Sequence, residues 1–172
     1  MSKAFLKDDA QDEGIFVAAR APLPPGVPNL VTAKGLGLLE SEHQSLISER
    51  ARLQTGTGDD LERARGLTAL QERLDALNDR LNSAQLVKET TPGSVGFGAW
   101  VTTCALSGRF KGEEQRFRLV GVDEAAADET TGSVAFIAPI AKALEGHKVG
   151  EQVKMQTSRG TQVLEVVAVS YD

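Results

Sequence analysis

The chain has 172 residues, enough for one ordinary globular domain plus an extended piece. Its 41% hydrophobic and 25% charged residues are normal for a water-soluble protein, and the net charge of -5 forms no basic face, which disfavours tight direct binding to nucleic acid. Cys104 is the only cysteine, so an internal disulfide is excluded. No membrane-length apolar run and no signal-peptide core are visible, so we expect a cytoplasmic protein without a membrane partner.

Residues 1–30 are predicted to form an extended arm. The first 20 residues mix lysine, aspartate and alanine with scattered apolar residues, and they can bury little surface. The four prolines between positions 21 and 28 favour an extended polyproline conformation. A helix is therefore not expected to begin before residue 31.

Residues 31–88 are predicted to form an antiparallel helical hairpin. Leucine recurs every seven residues in the first arm, residues 34–54, and at spacings of three and four in the second, as in the seam of a coiled coil. Thr32 is placed to cap the first helix, whereas Gly35 and Gly37 weaken its first turn. Residues 55–60 (TGTGDD) predict a tight reversal, and residues 82–88 close the second arm. The predicted seam consists of Leu39, Leu46, Leu53, Leu67, Leu70, Leu74, Leu77 and Leu81.

The reversal places three carboxylates, those of Asp59, Asp60 and Glu62, at the tip of the hairpin. Asp59 followed three residues later by Glu62, ahead of a leucine-periodic run, is the pattern of a capping box, and acids in a first helical turn interact favourably with the helix dipole. The local pattern alone favours capping over a catalytic role. The two roles are compatible, because a capping carboxylate is also a carboxylate held in place.

Residues 89–96 are a connector rich in Thr, Pro and Gly, and residues 97–172 have the pattern of a separate domain. Short runs rich in Val, Phe, Thr and Ile predict strands at residues 97–106, 115–122, 133–137, 152–157 and 161–169. A short helix with proline in its first turn is predicted at residues 139–144. Together these elements predict an antiparallel sheet with one helix laid across it. The expected core includes Phe97, Trp100, Phe117, Leu119 and Val120.

Several short sequence motifs, in a fixed order, resemble the C-terminal domain of the bacterial transcript cleavage factors GreA and GreB. The start and the end of the hairpin, residues 32–35 (TAKG) and 82–84 (NSA), are similar to the same family. The resemblance runs from residue 30 to the C-terminus, and only the arm lies outside it. The motifs in the domain are residues 97–101 (FGAWV), 116–124 (RFRLVGVDE), 138–144 (APIAKAL) and 149–150 (VG).

The resemblance implies an α+β protein in which the coiled-coil hairpin precedes an FKBP-like antiparallel β-sheet domain. It implies docking at the rim of the secondary channel of RNA polymerase, with the hairpin inserted towards the active site. Asp59 and Glu62, spaced as Asp-x-x-Glu, match the acids that help to hold a second Mg²⁺ of the polymerase, and Asp60 is an additional acid. A weakly held Mg²⁺ needs only one or two carboxylates, and two metals clamp the attacking and leaving oxygens.

In this family the polymerase, and not the factor, hydrolyses the 3′ end of backtracked RNA. The resemblance therefore implies an accessory factor that is not an enzyme by itself, has no cofactor of its own and contacts the RNA only indirectly; we expect a monomer. Ala138 stands where the family typically has serine. Without the family, two of the residues in this part of the domain, Ile140 and Leu144, are interpreted simply as core. The residues expected to contact the polymerase are Ala138, Pro139, Ile140 and Leu144.

Two departures from the family pattern leave other functions open. Arg63, Arg65 and Gly66 stand where the family has asparagine, an acid and an aromatic residue. Each arm is also about one heptad shorter, which shortens the hairpin by roughly 10 Å. Both favour an alternative, a regulator that occupies the secondary channel without supporting cleavage. A third hypothesis, a peptidyl-prolyl isomerase, comes only from the FKBP-like fold, and the spacing of the aromatic residues shows no proline pocket.

Overall fold

The computed structural model describes residues 20–88, 90–127 and 132–171. Two long helices are followed by a five-stranded sheet, which confirms the predicted α+β class. The predicted arm lies outside the described residues as far as position 19. The elements in chain order are β1 (Leu30–Val31), α1 (Ala33–Thr55), α2 (Asp60–Ser83), β2 (Gln85–Leu86), β3 (Trp100–Ala105), β4 (Glu114–Val120), α3 (Val122–Ala127), β5 (Ser133–Ala135), α4 (Pro139–Leu144), β6 (Gln152–Thr157) and β7 (Gly160–Ser170).

The helices α1 and α2 form the hairpin, and leucines from both fill the space between them. Thr32 caps α1 as predicted, because its side chain accepts a hydrogen bond of 2.9 Å from the N–H of Gly35. Burying a leucine side chain contributes about 1.5–3 kcal/mol, so the leucine seam holds the hairpin together. Five of the predicted seam residues are no more than 5% exposed: Leu39, Leu46, Leu70, Leu74 and Leu77.

The second helix ends at Ser83, five residues before the predicted end of the hairpin. Beyond it, β2 pairs in parallel with β1, which precedes the first helix. The N–H of Gln85 donates to the carbonyl of Asn29 at 2.8 Å, and the N–H of Val87 donates to that of Val31 at 3.0 Å. The two ends of the hairpin are therefore tied to each other by backbone hydrogen bonds, which take the place of a last helical turn.

The five strands of the body lie in the order β5-β4-β3-β7-β6. All neighbours are antiparallel except β4 and β5, which are parallel, so the prediction of a purely antiparallel sheet with one helix was wrong. The predicted strand at residues 115–122 stops at Val120, and α3 follows it at once. Parallel neighbours need a crossover connection, and α3 lies in that connection.

The core of the body lies between α4 and one face of the sheet. Val101, Leu119, Leu144 and Val166 are at most 2% exposed. The prediction of a buried Trp100 was wrong, because side chains alternate along β3: its neighbour Val101 points into the core, and Trp100 lies on the opposite face. The Trp100 ring packs there against the guanidinium groups of two β4 residues, whose carbons lie 4.7 and 5.9 Å from the ring centre: Arg116 and Arg118.

Candidate functional site

Asp59 is the N-cap of α2 at the tip of the hairpin. Its backbone is extended, with φ -62° and ψ 121°, and its Oδ1 accepts a hydrogen bond of 2.8 Å from the N–H of Leu61. Its carbonyl also accepts the first intrahelical bond, from the N–H of Arg63 at 3.0 Å. The capping interpretation of Asp59 is therefore confirmed. The bond occupies one carboxylate oxygen and leaves the second oxygen with unused acceptor capacity.

Asp60 and Glu62 occupy the first turn of α2, and both are exposed. Asp60 forms an ion pair with Arg63, although its side chain remains 88% exposed, and Arg63 also donates to the carbonyl of Gly56 at 3.1 Å. The Glu62 carboxylate accepts no hydrogen bond and forms no ion pair within the described parts of the chain, so the second half of the capping box is not formed there. Of the three tip acids, Glu62 is the one whose carboxylate is bonded to no side chain or backbone group in residues 20–88, 90–127 and 132–171.

The tip acids alone do not make a metal site. No group of three or more His, Cys, Asp or Glu side chains in the described ranges is arranged to hold a metal ion. Asp59 is the N-cap of α2 and Glu62 lies three residues later, in the first turn of the helix at the exposed end of the hairpin. Carboxylate oxygens are ligands that Mg²⁺ accepts while keeping most of its waters. The tip can therefore complete the coordination shell of an ion held mainly by another molecule.

The two helices are in close contact at Gly66, just below the tip of the hairpin. A Cβ atom at this position would lie 2.7 Å from the Cδ2 atom of Leu53 on α1. Glycine lets the Leu53 side chain lie directly against the backbone of α2. The sequence signal for this contact was the glycine itself, in the middle of an otherwise helical pattern.

The residues predicted to contact the polymerase lie at the start of α4, on the body. Ala138 is the N-cap without a side-chain hydrogen bond, Pro139 is exposed, and Ile140 is half-buried against the core. Leu144 is 0% exposed, so the prediction that it contacts a partner was wrong and its alternative interpretation as core is correct. Of these four residues, Pro139 is exposed, and Ala138 and Ile140 are each partly accessible to a partner.

A partly buried polar cluster, which no sequence pattern predicted, joins the hairpin to α3. Arg20 forms ion pairs with Asp123 of α3 and with Glu42 of α1. Burial lowers the pKa of Arg20, but the carboxylates of Asp123 and Glu42 more than offset this, so the pKa lies above its ordinary value. The Nε atom of Arg80 lies 3.2 Å from the other Asp123 oxygen, in an ion pair without hydrogen-bond geometry.

A second contact lies beside this cluster. The hydroxyl group of Thr32 donates to Glu124 Oε2, and Glu124 is only 2% exposed. A Cβ atom at Gly35 would lie 2.8 Å from the same oxygen. The glycine that weakens the first turn of α1 is therefore required by the close approach of α3. No sequence pattern links residues 20, 32, 80 and 123, since they come together only in the folded chain.

Comparisons with known proteins show which family this chain is similar to. The family model "Transcription elongation factor, GreA/GreB, C-term" matches residues 89–171. GreA of Geobacillus kaustophilus is 31% identical over 154 residues, which cover 81% of this chain and 94% of the relative. GreB of Pseudomonas aeruginosa is 32% identical over 171 residues, covering 88% and 95%. Against GreA of Pelobacter propionicus, at 33% identity over 105 residues, the match covers 60% of this chain and the chain spans 63% of the relative's length.

Among solved structures, GreA factor homolog 1 (Gfh1) of Thermus thermophilus is 21% identical; the match covers 84% of this chain and 99% of that one, with a TM-score of 0.38. The sequence relatives carry the assignment. The hairpin, the α+β body and these relatives define a protein of the transcription elongation factor class. Within that class, the chain belongs to the GreA/GreB family. None of the described helices has both the length and the apolar character needed to cross a membrane.

Proposed function

We propose that this protein binds bacterial RNA polymerase at the rim of the secondary channel and stimulates cleavage of backtracked transcripts through Asp59 and Glu62. The observation that carries the proposal is the Glu62 carboxylate, exposed and unpaired among the described residues, one turn from Asp59 at the far end of a packed hairpin. Helices of 23 and 24 residues extend that tip about 35 Å from the body. Such a shape fits a narrow channel that a globular domain cannot enter.

The two acids have different tasks in this mechanism. Asp59 is held by its cap bond to the N–H of Leu61, so its second oxygen points from a fixed backbone position. Glu62 is free to turn towards an ion. A Mg²⁺ ion held by the polymerase would supply the activated water and stabilise the charge on the phosphate. The chain contributes carboxylate oxygens and their placement, which is why it acts only together with the polymerase.

The body provides the proposed attachment. Pro139 is exposed at the start of α4, and Ile140 lies half-buried behind it, so both are held by the packed core rather than by a flexible loop. A proline with a fixed φ presents its ring with little loss of conformational freedom on binding. The start of α4 is therefore the expected contact with the channel rim.

A second candidate function, occupation of the channel without cleavage, is favoured by a specific contact. Arg63, which directly follows Glu62 in the sequence, pairs with Asp60, and Arg65 is also exposed near the tip. These cations lower the negative potential that a Mg²⁺ ion would encounter. A protein of this kind would compete with longer cleavage factors for the same channel.

Transcript cleavage on a backtracked elongation complex with the cognate polymerase tests the proposal. The informative variant carries Asp59→Asn and Glu62→Gln, because asparagine also caps helices and the fold is preserved while both charges are lost. The matched control is Glu72→Gln, which removes an exposed carboxylate of α2 three turns below the tip. We expect cleavage by wild type and by the control, and none by the double variant, with polymerase binding unchanged in all three.

Equal cleavage by the double variant would overturn the role of the acids. If no form cleaves and each slows a longer cleavage factor added to the same complex, the channel-occupying function is the correct one. A loss of polymerase binding in the double variant would instead make the tip acids a docking element.

A further inference from the structure

Residues 20–29, which we call the pre-hairpin segment, precede β1 and connect the body to both helices of the hairpin. The first residue of the segment, Arg20, pairs with Asp123 of α3 and with Glu42 of α1. Arg80 of α2 pairs with the second oxygen of Asp123, and its Nη2 atom donates to the carbonyl of Ala21 at 2.5 Å. We call Arg20, Arg80 and Asp123 the clasp. Its members come from the pre-hairpin segment, the hairpin and the body.

The clasp is largely removed from water. The side chains of Arg80, Asp123 and Arg20 are 7%, 11% and 21% exposed. Opening it would leave a charge without its partner in a poorly hydrated place, which is strongly unfavourable. In some proteins, buried ionic groups select one arrangement over its alternatives rather than adding net stability.

The hairpin is attached to α3 at two separate places. The start of α1 is attached through the hydroxyl of Thr32 and the carboxylate of Glu124. The end of α2 is attached through Arg80 and Asp123. One attachment would leave the hairpin free to rotate about it, whereas two attachments on different helices oppose that rotation.

The pre-hairpin segment is held mainly at its ends. A cavity of about 290 Å³ lies between its beginning and α2 and is lined by both. At the far end, the side-chain amide of Asn29 donates to the carbonyl of Arg80 at 2.7 Å, and β1 pairs with β2. Arg20, through its ion pairs, and Ala21, through its carbonyl group, supply the contacts at the near end.

We propose that the clasp sets the direction of the hairpin relative to the body, and that Arg20 is the positioning residue that closes it. The direction matters because the hairpin is long: a rotation of about 10° at its base moves a tip about 35 Å away by about 6 Å. Reacting groups tolerate displacements of only about 1 Å before the rate falls. The consequence for cleavage depends on the function proposed above, whereas the positioning itself does not.

A distance measurement on the full chain tests the clasp without the polymerase. Spin labels are placed at the tip and on the exposed side of β6, through Gly58→Cys and Lys154→Cys in a Cys104→Ser background. The test variant is Arg20→Gln, which removes the charge and keeps much of the side chain. The control is Arg50→Gln, whose guanidinium bonds at 3.1 Å to Gln71 and so links only the two helices.

We expect one narrow distance distribution for the parent and for Arg50→Gln, and a broad or shifted distribution for Arg20→Gln with unchanged helical circular dichroism. An unchanged distribution in Arg20→Gln would overturn the proposal. Loss of helical signal in Arg20→Gln would also overturn it, because Arg20 would then maintain the hairpin rather than its direction. If the distribution broadens while the parent does not stimulate cleavage, the clasp stands and the proposed function fails.

Discussion

Carboxylates occur at both ends of the hairpin, in opposite surroundings. At the tip, Asp60 and Glu62 are exposed, and the ion pair of Asp60 with Arg63 lies in water. At the base, Glu124 is buried and the side chain of Asp123 is only 11% exposed, and both pair with groups from the hairpin. The same chemical group therefore serves two purposes: in water it remains available to a ligand, and when buried its bonds are used to hold the fold.

This contrast predicts a ranking of the losses in unfolding free energy, with the largest at the base. Asp123→Ala is expected to lower the unfolding free energy by about 3 kcal/mol or more, because it leaves the buried Arg80 guanidinium without its partner. Urea denaturation followed by circular dichroism measures it. Asp60→Ala at the tip is the control, with a loss of no more than about 1 kcal/mol. Equal losses of unfolding free energy for the two variants would show that the carboxylates at the base do not stabilise the fold more than those at the tip.

Replacing a glycine by alanine should likewise destabilise the protein more at the base of the hairpin than at its tip. A Cβ atom at Gly121 would lie 2.5 Å from the carbonyl oxygen of Leu30, a backbone atom that cannot move without displacing β1. Gly121→Ala is therefore expected to lower the unfolding free energy by about 1–3 kcal/mol. Gly58→Ala meets no atom within 4 Å and should stay within about 0.5 kcal/mol of wild type. Thermal unfolding of both variants measures this, and a stable Gly121→Ala protein would show that β1 is free to move aside.

A smaller effect separates the structural and chemical roles of Asp59. Asp59→Ala removes the cap bond to the N–H of Leu61 and should lower the unfolding free energy by about 1 kcal/mol. Asp59→Asn keeps a capping oxygen and should lower the unfolding free energy by only about a few tenths of a kcal/mol. Comparing the denaturation midpoints of the two variants tests the cap. If both lose the same stability, the negative charge at the helix N-terminus matters more than the bond.

The smallest effect is expected for Arg63→Gln. The ion pair with Asp60 is exposed, so its loss should change the unfolding free energy by less than about 1 kcal/mol. Removing the cation should strengthen the attraction of the tip for Mg²⁺ and reduce the Mg²⁺ concentration at which transcript cleavage is half-maximal. A Mg²⁺ titration of cleavage compares the variant with wild type, and Lys111→Gln on the body is the charge-matched control. A shift in the opposite direction would show that Arg63 itself contributes at the polymerase.

Local patterns predicted the parts of the molecule that depend on neighbours in sequence. Leucine spacing predicted the seam, the reversal at residues 55–60 predicted the tip, and proline followed by an apolar run predicted α4 within its observed bounds, Pro139–Leu144. The cap formed by Asp59 was also visible, because a cap involves residues only two or three apart. These features are local, so their physical causes are contained in short segments.

The remaining features required contacts between distant segments. The parallel pairing of β4 with β5, the outward position of Trp100 and the complete burial of Leu144 depend on where other strands and helices lie. The clasp joins residues 20, 80 and 123, and no periodicity relates such positions. The sequence by itself thus determined the hairpin and its acidic tip, because these follow from local propensity and spacing. Only the tertiary structure decided how the hairpin is attached to the body, because burial and charge pairing across the chain exist only after folding.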